Sequence, residues 1–181
     1  MLKRIAAVLL VVLSLSLGSC ADITGGLESY TDQYNGYQFL HPNSWVEVDV
    51  PNSIPDVVFR DLVERTENGS VVISEIPEGK TLKDLGTPTE VGRRLADNAI
   101  APPDSGRQAE LIRAESKQSS EGKTYYILEY AVKLGDRDRH NLASVTVSRD
   151  RLFTLNVSTT QKRWSKVKDR FETVARSFNV Y

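Results

Sequence analysis

Four runs between Ala109 and Thr159 limit the folds open to this chain more than any other feature. They read AELIRAES (Ala109–Ser116), TYYILEYAVK (Thr124–Lys133), HNLASVTVS (His140–Ser148) and RLFTLNVST (Arg151–Thr159). The last three are rich in β-branched or aromatic residues, and the second has the clearest alternation. The links between them are short: Glu121-Gly122, then Gly135–Asp138, then Arg149-Asp150. Parallel neighbours need a crossover of a dozen residues or more, so these strands must pair antiparallel.

Upstream, Tyr37–Leu40, Trp45–Val48, Val57–Glu64 and Val71–Ile76 read as further strands. Asn68-Gly69, between the last two, predicts the centre of a hairpin turn, because both residues tolerate positive φ. Thr87 followed by Pro88 reads as the cap and first turn of a helix. Val91, Leu95 and Ile100 form its apolar stripe, and Ala101–Asp104 ends it. A second helix follows Thr160, with Trp164, Val167, Phe171, Val174 and Phe178 at steps of 3, 4, 3 and 4. About seven or eight short strands with two separated helices predict an α+β fold: an antiparallel sheet with helices covering its faces, an α/β/α sandwich.

The amino-terminus has a different character. Lys3 and Arg4 precede Ile5–Leu17, an uncharged run of 13 residues. That length suits a signal-peptide core and falls short of the ~20 residues a spanning helix needs. Leu17-Gly18-Ser19-Cys20 follows, with the only cysteine of the chain. The four residues resemble the lipobox of bacterial lipoproteins, which implies cleavage before Cys20 and acylation of its thiol. Two acyl chains at ~0.8 kcal/mol per buried methylene anchor a protein firmly. The expected organisation is a signal peptide at 1–19, a lipidated tether at 20–34 and one domain at 35–181. A lone thiol in an exported protein has no disulfide partner, so core packing must supply the stability.

Cleavage would leave 162 of 181 residues, enough for one ordinary domain. It would remove two of 23 basic residues and none of 24 acidic ones, moving the net charge from −1 to −3. That balance argues against nucleic acid as a partner. No H-E-x-x-H, G-x-S-x-G, P-loop or G-x-G-x-x-G motif occurs, and His41 and His140 are the only imidazoles. The chain is therefore read as non-enzymatic.

Two clusters are candidate sites. Asp136, Asp138 and His140 would point the same way along an extended strand, a donor set for zinc, manganese or calcium. The competing reading is a hydrated loop in which Arg137 and Arg139 pair with the acids. No cofactor is required on either reading. Lys162, Arg163 and Lys166, with Arg149 and Arg151, would suit an acidic protein partner or anionic headgroups; the competing reading is a solvated helix face.

Taken in order, several segments resemble the PsbP family of extrinsic photosystem II proteins. They are Tyr34-Asn35-Gly36-Tyr37-Gln38-Phe39 with Pro42 and Trp45, then Leu85-Gly86-Thr87-Pro88-Thr89-Glu90-Val91, then Tyr125–Tyr130. Leu152–Asn156, Arg163-Trp164, Phe171 and Ser177-Phe178 complete the match. The resemblance spans about Tyr34 to Val180 and implies an antiparallel sheet sandwiched by helices. It also implies a non-catalytic protein on the lumenal side of the thylakoid membrane, bound to photosystem II lumenal subunits or assembly intermediates; a monomer is expected. The lipobox places it with the cyanobacterial branch. Its short amino-terminal segment favours assembly or stabilisation of the oxygen-evolving complex over ion retention.

Overall fold

Ten strands, two α-helices and one π-helical turn follow one another in the computed structural model, which describes residues 26–51 and 54–181. The strands are β1 (Leu27–Asp32), β2 (Tyr37–Pro42), β3 (Trp45–Glu47), β4 (Val57–Asp61), β5 (Asn68–Glu75), β6 (Arg107–Gln118), β7 (Thr124–Leu134), β8 (Arg137–Ser148), β9 (Arg151–Thr160) and β10 (Asn179–Val180). The helices are α1 (Pro88–Leu95), continued by a π-helical turn (Ala96–Ile100), and α2 (Gln161–Ser177). Two sheets form, ordered β1-β2-β10 and β3-β4-β5-β9-β8-β7-β6. Every pairing is antiparallel, as the short links demand for β6 to β9. The larger sheet joins two meanders where β5 meets β9, and α1 lies in the connection between them. The fold is α+β.

Alternate side chains of the central strands enter two separate apolar clusters. Tyr125, Ile127, Leu142, Phe153, Leu155 and Val157 pack with Trp164, Val167, Phe171 and Val174 of α2, and with Tyr37 and Phe39 of β2. Tyr126, Leu128, Tyr130, Val132, Ala143 and Val145 pack with Val91, Leu95 and Ile100. This is why β7 carries apolar residues at nearly every position: both of its faces are buried.

The α1 stripe steps by four from Val91 to Leu95 and by five from Leu95 to Ile100. A step of five overshoots an α-helical turn. The π-helical turn absorbs it, with the Ala101 amide donating to the Ala96 carbonyl at 2.8 Å. Thr87 caps the helix in a reciprocal box: its amide donates to Glu90 Oε2 at 2.8 Å, and the Glu90 amide donates to Thr87 Oγ1 at 3.3 Å. Thr87→Ala should lower the unfolding free energy by about 1 kcal/mol, and Thr87→Ser by less, in urea titrations.

Two local expectations are corrected. Leu27–Asp32, read as tether, is a strand that pairs with β2 along its whole length. Leu27 and Tyr30 rest against the α2-side core, which holds this otherwise polar segment in place. Asn68-Gly69, read as a hairpin turn, opens β5 opposite Phe59 and Arg60. The turn lies earlier, across Leu62–Thr66, where the Asp61 amide donates to the Glu67 carbonyl at 3.1 Å. Gly69 is there for space: a Cβ would stand 2.4 Å from the Trp45 ring.

Candidate functional site

An open groove of about 680 Å³ runs across the sheet face that α1 partly covers. Eight helical residues reach only ~12 Å, whereas seven strands at ~4.8 Å spacing span roughly 29 Å. The helix therefore shields β6 and β7 and leaves β5, β9 and part of β8 open. Side chains on the open part are accordingly mostly polar. Cross-strand register sets Asn68 opposite Ser158, Ser70 opposite Asn156, and Asn141 opposite Ser158. Leu95, Ile100, Tyr130 and Leu152 form the apolar side of the groove.

The floor is knit by side-chain hydrogen bonds. Ser158 Oγ donates to Asn141 Oδ1 at 2.8 Å, and Asn141 Nδ2 donates to Asn156 Oδ1 at 3.2 Å. Arg139 donates to Ser158 Oγ from Nε at 3.0 Å, and to the Thr66 carbonyl at 2.9 Å. Burial, with the neighbouring charge of Arg107, pushes the Arg139 guanidinium below the usual arginine range. The groove lining holds two arginines and no carboxylate. Such a lining favours an anionic group over a cation or a neutral one.

A buried polar network lies on the opposite face, under α2. Glu129 on β7 accepts from Arg113 Nε at 2.8 Å, and His140 Nε2 donates to its other oxygen at 2.8 Å. The other ring nitrogen of His140 bonds Gln161 Oε1 at 2.9 Å, and the ring stacks on Trp164 at 3.9 Å. Arg113 also pairs with Glu172 and Glu115, and Arg176 ties those two acids together. Burial opposes a charge on Glu129, yet the hydrogen bonds from Arg113 and His140 hold its carboxyl below the usual range.

The expected Asp136–Asp138–His140 metal set is not assembled. His140 is buried with both ring nitrogens engaged, while Asp136 is exposed beside Arg137 at 3.9 Å. Among the described residues, no three His, Cys, Asp or Glu side chains are placed to hold a metal ion. Arg139 does not pair with these acids either, because strand alternation turns it into the groove.

The expected basic cluster separates into two. Arg149 and Arg151 flank the β8–β9 turn, hydrogen-bond to Asn35 and lie over the Phe153 ring at 5.6 and 5.1 Å. Lys162, Arg163 and Lys166 sit in the first turns of α2, beyond the far end of β9, a strand of ten residues. That separation is roughly 30 Å at ~3.3 Å per residue. Arg163 is spent on Glu64 at 3.0 Å and on the buried Glu67 at 2.7 Å, whereas Lys162 and Lys166 are exposed. Cys20 lies outside the described residues. The groove escaped sequence reading because its residues come from five strands and the α1 segment; the polar alternation of β5 and β9 was its only local trace.

An antiparallel α+β domain with a large, half-covered sheet defines the class of protein. The chain belongs to the PsbP family, whose profile it matches over residues 25–180. It is 50% identical to CyanoP of Thermosynechococcus vestitus and 49% identical to CyanoP of Synechocystis sp., in each case over the full length of both chains. The solution structure of cyanobacterial PsbP (CyanoP) from Synechocystis sp. PCC 6803 superposes with a TM-score of 0.75 at 51% identity, covering 92% of this chain and 99% of that one.

Proposed function

We propose that this chain is a non-catalytic extrinsic lipoprotein on the lumenal side of the thylakoid membrane, which assists assembly or stabilisation of the oxygen-evolving complex of photosystem II. The observation that carries this reading is the full-length identity of about half to two CyanoP proteins. Acylated Cys20 would hold the domain at the membrane. Anchoring raises its effective concentration beside membrane-embedded subunits, so modest protein contacts suffice. The acid-free groove, with Arg107 and Arg139 in its lining, supports a binding role.

The direct test is affinity purification of the full-length chain from solubilised thylakoids. Photosystem II subunits or assembly intermediates should co-elute; recovery solely with complexes unrelated to photosynthesis would refute the reading. A Cys20→Ala form exported behind an ordinary cleavable signal in place of residues 1–19 should fold normally and move to the soluble lumenal fraction. Retention after a salt wash would show that domain contacts, not lipid, hold the protein.

A further inference from the structure

The Leu62–Glu67 turn presents two apolar side chains to solvent, with Leu62 63% and Val63 88% exposed. Exposed hydrophobes are ordinary when scattered. Here they cap a braced turn. The buried Asp61 carboxylate accepts from Ser44 Oγ at 2.6 Å and from the amides of Val63 and Glu64 at 2.8 and 2.7 Å. Arg163 reaches across from α2 to Glu64 and Glu67. Buried polar groups thus hold the turn while its apolar side chains face mostly solvent.

The position of the turn identifies its occupant. The Leu62 amide donates to the Ser44 carbonyl at 3.0 Å, and the Asn43 amide donates to the Gly26 carbonyl at 2.9 Å. The chain therefore leaves the domain toward Cys20 directly beside Leu62. Gly26 follows Cys20 by six Cα–Cα steps, with five residues between them. Even fully extended, those six steps reach about 20 Å at ~3.5 Å each, so an acylated Cys20 confines this end to the bilayer surface. Asp61, Glu64 and Glu67 are all engaged internally, while exposed Arg65, Lys162 and Lys166 form no ion pair among the described residues.

We propose that Leu62 and Val63 form a membrane-contacting tip that enters the interface of the bilayer holding the anchor, with Arg65, Lys162 and Lys166 meeting anionic headgroups. The proposal rests on the anchored-lipoprotein reading and adds an orientation to it. The first turn of α2 faces the lipid, and the Arg149–Arg151 end points away. One anchor alone leaves a domain free to tumble about its tether; a second apolar contact removes that freedom.

The test uses the chain from residue 20 onward, the form the expected cleavage leaves, carrying Cys20→Ser, and flotation with phosphatidylcholine vesicles, with or without phosphatidylglycerol. The parent should float weakly, and more with the anionic lipid. L62D/V63D should partition at least about tenfold less, since two partly inserted side chains are lost. I54D, a control at the opposite end with Ile54 86% exposed, should partition like the parent. Urea unfolding checks that the variants stay folded, which the exposure of all three side chains favours. Equal flotation of parent and L62D/V63D, or no flotation of either, overturns the tip. The anchor is tested separately by the mass of membrane-extracted native protein: an unacylated Cys20 removes the anchor while leaving the vesicle comparison readable.

Discussion

Glu129→Ala should destabilise the domain by about 3 kcal/mol, because it strands a buried histidine and an arginine that both lean on one carboxylate. Arg113 keeps Glu172 and Glu115, which puts the loss at the low end of the range for a broken buried pair. The midpoint of thermal unfolding should fall by roughly 6–12 °C for a domain of this size. Glu129→Gln should lie between the two, since one amide oxygen still accepts from a single donor while its NH₂ opposes the other. Trp164 stacks on His140, so its fluorescence reports the local loss alongside the global transition. A pH series sharpens the test. The Glu129 carboxyl is depressed in the folded state from an ordinary 4.5, so its contribution is fully present above that value. It is lost as pH falls through the lower folded value. The parent should lose stability on acidification below about pH 4.5, and Glu129→Ala should lose less over that interval. Parallel curves for the two proteins would show that the network does not govern acid stability.

Gly69→Ala should cost about 2 kcal/mol, a large penalty for one methyl group. Its Cβ would stand 2.4 Å from Cζ3 of Trp45. That indole is 3% exposed and wedged against Phe171, with ring centroids 5.8 Å apart, so it has nowhere to retreat. The backbone of Gly69 does not lie in the left-handed region, so conformational strain plays no part. A double-mutant cycle with Trp45→Leu separates the two explanations. If crowding is the cause, Gly69→Ala should be nearly neutral in the Trp45→Leu background, a coupling of about 2 kcal/mol. An unchanged penalty there would point to a backbone requirement instead. The variant also tests the hairpin expectation, since a turn at Asn68-Gly69 would be indifferent to Trp45.

Local pattern was enough for much of the architecture. The short links between Ala109 and Thr159 permit only antiparallel neighbours, and β6 to β9 form that meander. The steps of 3 and 4 from Trp164 to Phe178 fixed the buried face of α2, because helical geometry repeats every 3.6 residues whatever lies beneath. Thr87-Pro88 marked the start of α1 for an equally local reason: a cap bonds its own first turn. The order of aromatic and proline segments was enough to place the chain in its family.

What failed locally did so for lack of information about neighbours. Leu27–Asp32 is too polar to announce a strand, and only its partnership with β2 makes it one. Asn68-Gly69 carries a turn signature, but Trp45, 24 residues earlier, claims the space above Gly69. Asp136, Asp138 and His140 have metal-ligand spacing, yet His140 is taken by Glu129 from the next strand and Gln161 from α2. Arg149 and Lys162 are close in sequence and stand at opposite ends of the domain because a whole strand lies between them.

By itself, then, the sequence of this protein determined the fold class, the strand meander, both helices, the family and the motif at Cys20, all of which depend on short-range periodicity or on order along the chain. Only the tertiary structure decided which polar residues are buried partners and which line a groove. It also decided that the Leu62–Val63 tip sits beside the exit of the chain toward Cys20. Those properties come from residues brought together across strands, where no spacing in the sequence records the contact.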